Sequence, residues 1–343
     1  MKAWQLTRTG ILAEDSVPLD RTELSDPEPG RGEVRIAVSV CGICHTELDE
    51  IEGRTEPPDL PVVPGHQIVG RIDELGDDVS LHEIGDRVGV GWIYTSCGIC
   101  EQCLGGRENL CESFTATGRD INGGYAEYVT VPEASAYPIP EVFTDEEAAP
   151  LLCAGAIGYR SVRLSRVREG NILALTGFGA SGHIVLQLVR HLYPSSPVFV
   201  FARRSATREF ALSLGASWAG DTSERPPEQP DCIIDTTPAW KPVLKSLEFL
   251  KPGGRLVINA IRKEDEDKEE LLKIRYHEHL WMEKEIKSVA NITRRDIREF
   301  LPIAARAGIR PEVETVPFKE ANRALLDIKF KGGRGAHVLE VRV

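Results

Sequence analysis

Ile172-Leu173-Ala174-Leu175-Thr176 runs directly into Gly177-Phe178-Gly179-Ala180-Ser181-Gly182, and this stretch decides how the second half of the chain folds. Ile172 to Leu175 is a short unbroken apolar run, the mark of a strand buried on both faces, and Gly182 to Arg190 carries apolar residues at helical spacing. A G-x-G-x-x-G alone is a weak signal. After a strand and before a helix it is a dinucleotide fingerprint, because the glycines permit a tight turn and let the backbone approach a pyrophosphate at the helix N-terminus. The plainer reading is a tight strand-to-helix turn with no ligand.

The same grammar repeats downstream. Val198 to Phe201, Cys232-Ile233-Ile234 and Leu256-Val257-Ile258 are further apolar runs separated by helical segments, the pattern of a parallel sheet wrapped in helices. Upstream, from Gly32 to Thr130, the text is all-β. Alternating runs such as Glu33-Val34-Arg35-Ile36-Ala37-Val38 and Gly85-Asp86-Arg87-Val88-Gly89-Val90 are cut by Gly, Pro and Asp. Beyond Asn291 the sequence predicts one more helix, Asp296 to Ala307, and strand-like pieces ending in Ala336 to Val341. The charge run Lys263 to Glu270 reads as a solvated loop or helix face. At 343 residues the chain exceeds what one core usually serves, so two domains are expected.

A formal charge of -12 argues against nucleic acid as a partner, because phosphate binding draws on a basic surface. No run reaches the roughly 18 apolar residues of a membrane span, and Met1-Lys2-Ala3-Trp4 lacks an apolar signal-peptide core, so the cytoplasm is the expected address. Eight cysteines in a reducing compartment point to metal binding or catalysis before disulfides. Cys97, Cys100, Cys103 and Cys111 form C-x2-C-x2-C-x7-C, a spacing suited to a closed tetrahedral zinc site. Iron-sulfur ligation competes on spacing alone, and four buried thiols without metal are the bland alternative. Cys44, His66 and Cys153 lie far apart in sequence, and each taken singly reads as an ordinary core or loop residue.

Taken together, these stretches resemble the zinc-dependent medium-chain alcohol dehydrogenases nearly end to end. The resemblance rests on Cys44-His45-Thr46, Gly65-His66, Cys153, the four-cysteine lobe, Gly123-Gly124-Tyr125-Ala126-Glu127-Tyr128-Val129 and the glycine turn. It implies an α/β and β architecture: a GroES-like β-barrel catalytic domain over 1–150, with a structural-zinc lobe at about 92–115, a Rossmann doubly wound parallel-sheet cofactor domain over 151–290, and a C-terminal return to the catalytic domain over 291–343. Two Zn2+ ions per chain are implied, a catalytic one on Cys44, His66 and Cys153 and a structural one on Cys97, Cys100, Cys103 and Cys111. The implied reaction moves hydride between a nicotinamide cofactor and a primary or secondary alcohol, paired with its aldehyde or ketone, whose oxygen sits on the catalytic zinc. Thr46 matches the hydroxyl that takes the alcohol proton.

This chain departs from that pattern at several positions. Glu47 stands in place of an Asp that orients His66, Gln67 replaces a common Glu beside the metal, and Asp49 occupies the place of a His that ends the proton relay. Cys41 is left over, as a packing residue. Gly177, Gly179, Ala180, Ser181 and Gly182 form the expected pyrophosphate turn. At the end of the second strand, where NAD-specific relatives place an acidic residue, stands Ala202, followed by Arg203, Arg204 and Ser205. Guanidinium groups suit a 2'-phosphate, so NADP(H) is expected over NAD(H), while a solvated helix start is the bland reading of the two arginines. Trp92, Ile93 and Tyr94 suggest an apolar substrate pocket or, equally, barrel core. Polyol, formaldehyde or cinnamyl-type dehydrogenases share the motifs. A zinc-free quinone-reductase relative has no use for either cysteine set, and a non-catalytic zinc- and nucleotide-binding module is the reading from another class. Relatives are commonly homodimers or homotetramers.

Overall fold

Strand Glu33–Ile43 organises the first half of the molecule. Its alternation places Val34, Ile36, Val38 and Val40 on the core face, and its last four residues are buried throughout. In the computed structural model, which describes residues 1–332 and 335–342, this strand is central to a seven-stranded sheet. It pairs antiparallel with Gln67–Leu75, Tyr128–Pro132 and Ala336–Glu340. Two register shifts against Gln67–Leu75 bend it into the curvature that a barrel-like sheet requires. A Cβ on Gly70 would lie 2.2 Å from the Ala37 carbonyl oxygen, so only glycine fits that crossing. Leu6, Ile36, Val38, Ile68, Ile72 and Tyr125 meet in the core beneath, each aliphatic side chain contributing about 1.5–3 kcal/mol by burial.

The chain divides into two units: Met1–Cys153 with Ile292–Ala305 and Pro311–Val343, and Ala154–Asn291 with Arg306–Arg310. The second unit holds a six-stranded, all-parallel sheet. Its order is Trp218–Gly220, Val198–Phe201, Leu173–Thr176, Cys232–Asp235, Arg255–Ile258, Glu285–Ser288. Chain direction across the sheet reverses between Leu173–Thr176 and its neighbour Cys232–Asp235, the switch point where such sheets bind nucleotides beyond their strand ends. The inner strands are buried along their length because helices cover both faces. Helix Ala180–Leu192 turns Ile184, Val185, Leu188 and Val189 inward. No helix among the described residues is long and apolar enough to cross a membrane.

The charge run is only partly a solvated face. Lys263 is drawn inward to the fully buried Asp235 and donates to the carbonyls of Thr237 at 2.8 Å and Ala239 at 3.1 Å. Asp267 accepts from the amides of Trp240 at 2.9 Å and Lys241 at 2.8 Å, at the start of helix Lys241–Phe249. A buried carboxylate and an open helix end each need a partner, and this loop supplies both.

Candidate functional site

Strand Glu33–Ile43 ends where Cys44 caps helix His45–Ile51, so the first sulfur is aimed by a strand-to-helix turn. His66 precedes strand Gln67–Leu75, and Cys153 lies in the wide π-helical turn Leu151–Gly155. The three ligand atoms converge within 4.8 Å of one another. A tetrahedral zinc with Zn–S of about 2.3 Å and Zn–N of about 2.0 Å sets its N and S donors roughly 3.5 Å apart. His66 Nε2 and Cys153 Sγ are separated by 3.3 Å, so the set fits the ion. Three protein donors leave the fourth position for a substrate oxygen.

Glu47 serves two neighbours at once. Its Oε2 accepts from the Cys44 amide at 2.7 Å, fastening the helix start, and its Oε1 lies 2.7 Å from His66 Nδ1. Nδ1 is thereby engaged and Nε2 is turned to the sulfurs. The Cys153 hydrogen bond holds the buried Cys44 thiol well below its usual range, and the same bond, with burial, pushes Cys153 up. Thr46 is buried with Oγ1 3.5 Å from Cys44 Sγ. Asp49 is fully buried, and its Oδ1 accepts from Arg54 Nε at 2.7 Å. Gln67 is buried too, and Cys41 is core.

The four-cysteine lobe brings its sulfurs within 4.8 Å of one another, a spacing that fits a single ion and is too close to enclose a multi-iron cluster. Cys97 and Cys103 Sγ are 3.8 Å apart. Tetrahedral ZnS4 geometry demands about the same separation, roughly 3.8 Å. Backbone amides of Ile99 and Cys100 pull the Cys97 thiol down to about 6, whereas burial pushes Cys103 up to about 11.

At the glycine turn, Gly177 takes a φ of +81°, and a Cβ there would also meet Thr236 Oγ1 at 2.6 Å. Gly177→Ala should cost the second unit about 1–3 kcal/mol of stability, measurable by denaturant unfolding, because the left-handed backbone and the contact penalise it together. Gly179 faces open space, which leaves room for a phosphate, and a Cβ on Gly182 would lie 3.0 Å from the Gly177 carbonyl oxygen, so the turn suits a dinucleotide. Ala180 begins the helix, and Ser181 Oγ donates to the Ala154 carbonyl at 3.0 Å. Ala202 is buried at the end of strand Val198–Phe201, while Arg203, Arg204 and Ser205 are exposed, with Ser205 opening helix Ser205–Ser213.

Of the three residues before the lobe, two belong to the barrel. Ile93 is core, and Tyr94 donates its hydroxyl to Glu33 Oε1 at 2.6 Å. Trp92 instead stacks on Phe114 with ring centroids 4.7 Å apart. Three residues carry site contacts that the sequence reading missed. Arg208 donates to the carbonyls of Ala202 at 2.8 Å and Arg203 at 2.9 Å, bracing the turn from the next helical turn, and its spacing from Arg204 was the available signal. Glu50 is buried with Oε1 lacking a hydrogen-bond partner, and burial, followed by the Glu47 charge, raises its carboxyl well above the usual range. Its position four residues after Thr46, on the same helix face, was legible. Arg294 has no local signal at all.

Residues 30–141 match the family model described as the alcohol dehydrogenase GroES-like domain. The chain is 40% identical to the "Probable alcohol dehydrogenase AdhA" of Mycobacterium tuberculosis, across 99% of this chain and 97% of that protein. It is 32% identical to an alcohol dehydrogenase of Geobacillus stearothermophilus, across 98% and 99%. A Sorghum bicolor cinnamyl alcohol dehydrogenase structure superposes with a TM-score of 0.85 at 26% identity, covering 99% of this chain and 97% of that one.

Proposed function

Because this chain belongs to the zinc-dependent medium-chain alcohol dehydrogenases, we propose that Thr46 takes the substrate proton, that Glu47 positions His66, and that Arg203 and Arg204 select NADP(H). The zinc- and NAD(P)-dependent alcohol dehydrogenase activity itself follows from the family and from the Cys44, His66 and Cys153 set. When bound, the two groups supply a Lewis acid for the substrate oxygen and a hydride donor or acceptor. Everything else falls to the chain. The Thr46 hydroxyl takes the proton that the alcohol gives up as it releases its own, and Asp49, one helical turn on, is the carboxylate that receives the released proton. Gly177, Gly179, Ala180, Ser181 and Gly182 hold the pyrophosphate against the helix N-terminus.

The cofactor choice rests on one observation: the strand end bears a buried Ala202 and two exposed guanidinium groups, with Ser205 beside them, in a turn braced by Arg208. A carboxylate there would repel a 2'-phosphate, whereas each charge-assisted bond to phosphate stabilises by about 1.5–3 kcal/mol. NADP(H) should therefore exceed NAD(H) by about tenfold or more in kcat/KM, one bond's worth. Steady-state kinetics with both cofactors at matched substrate tests this, and a preference for NAD(H) would overturn it. Ala202→Asp combined with Arg203→Gln and Arg204→Gln should move preference to NAD(H).

The Trp92–Phe114 stack supports an apolar alcohol, with aryl substrates of the cinnamyl type as the second reading. A panel of aliphatic and aryl alcohols, ranked by kcat/KM, separates the two. Strand Glu285–Ser288 is an exposed sheet edge with Trp281 and Met282 about half exposed beside it, which supports a homodimer or homotetramer. Eight free cysteines support the reducing cytoplasm.

A further inference from the structure

Helix Arg294–Ala307 begins against the four-cysteine lobe, nearly two hundred residues away in sequence. The Arg294 amide donates to Glu108 Oε1 at 2.8 Å, and its guanidinium donates to Ser96 Oγ at 3.2 Å and to the Tyr94 carbonyl at 3.5 Å. Tyr94 and Ser96 lead into Cys97, and Glu108 lies between Cys103 and Cys111. One residue thus grips both flanks of the lobe. A cavity of about 370 Å3 opens between them, lined by Ser96, Cys103, Glu108, Arg294, Arg295 and Arg298.

The electrostatics of that cavity need an answer. Among the described residues no carboxylate lies within ion-pair distance of the half-buried Arg294 guanidinium, and its buried Nε has no hydrogen-bond partner. Arg295, by contrast, is paired with Glu299. Zinc with four thiolates carries a net charge of about -2 on formal valences, and in a lobe where Cys100 and Cys103 are half-buried and Cys111 is buried a nearby cation offsets that charge. Ser96 connects the two. Its hydroxyl accepts from Arg294, and the residue, one before Cys97, lines the cavity together with Cys103.

We propose that Arg294 is a positioning residue for the structural metal: it clamps both flanks of the cysteine lobe and supplies the counter-charge to the zinc tetrathiolate across the cavity that it shares with Cys103. Outer partners of metal ligands typically govern affinity by 10- to 100-fold.

The test is zinc release from the purified two-zinc enzyme to a chromophoric chelator, followed alongside elemental analysis. Arg294→Met keeps the length of the side chain and removes its charge, so one of the two zinc ions should leave about 10-fold faster or more while the other leaves at the parent rate. Arg294→Lys retains the charge and should restore most of the parent behaviour. Ser96→Ala removes the hydroxyl that accepts from Arg294 and should accelerate release of the same ion by a smaller factor, which keeps the test open should Arg294→Met fail to fold. Parent-like release in Arg294→Met or, where that variant does not fold, in Ser96→Ala would overturn the proposal. So would equal impairment of the Lys and Met variants, since packing rather than charge would then be the cause.

Discussion

Cys44→Ser should yield a folded protein that holds one zinc ion per chain and shows no turnover above background. The substitution exchanges a soft thiolate, favoured here by the Cys153 hydrogen bond, for a hydroxyl that remains protonated and binds zinc poorly. With His66 and Cys153 alone the site loses its tetrahedral frame, and a substrate oxygen loses its Lewis acid. The fold should survive, because the sulfur caps one short helix whose start is also held by Glu47 Oε2 on the Cys44 amide. Cys103→Ser should do the reverse. A closed site contributes folding energy directly, so opening it should cost on the order of 3 kcal/mol or more, a fall in Tm of roughly 6–12 °C for a domain of this size, with residual turnover in the molecules still folded. Elemental analysis, activity and thermal melts on both variants check this pair. Two zinc ions retained in Cys44→Ser, or a melting temperature unchanged in Cys103→Ser, would contradict the separation of roles.

Thr46→Val should lower kcat by about 100-fold or more at every pH, while zinc content and melting temperature stay at parent values. Valine keeps the volume and deletes only the hydroxyl, which lies 3.5 Å from the sulfur of Cys44 and is the group proposed to take the substrate proton. Positioned proton acceptors contribute about 10²- to 10⁴-fold, which sets the expected size. Asp49→Asn should act differently. It preserves an acceptor for Arg54 yet removes the charge, so the pH profile of kcat should change shape more than its height. An unchanged rate in Thr46→Val would take Thr46 out of the chemistry, and an unchanged profile in Asp49→Asn would end the relay in water instead.

The sequence by itself determined the chemistry and the building blocks of this protein. Four closely spaced cysteines offer a metal site on one short stretch, a glycine turn between a strand and a helix encodes its own backbone, and the change from alternating to continuous apolar runs separates the barrel from the parallel sheet, since each is a property of local side-chain type and period. Only the tertiary structure decided what each group faces. It turned His66 Nε2 to the sulfurs by setting Glu47 on Nδ1, removed Ile93 and Tyr94 into the barrel, drew Lys263 out of its charge run to neutralise Asp235, and set Arg294 against a cysteine lobe 186 residues away in sequence. Those choices come from the need to satisfy buried charges and polar groups with whatever the fold brings within reach, and no local pattern records which partner that will be.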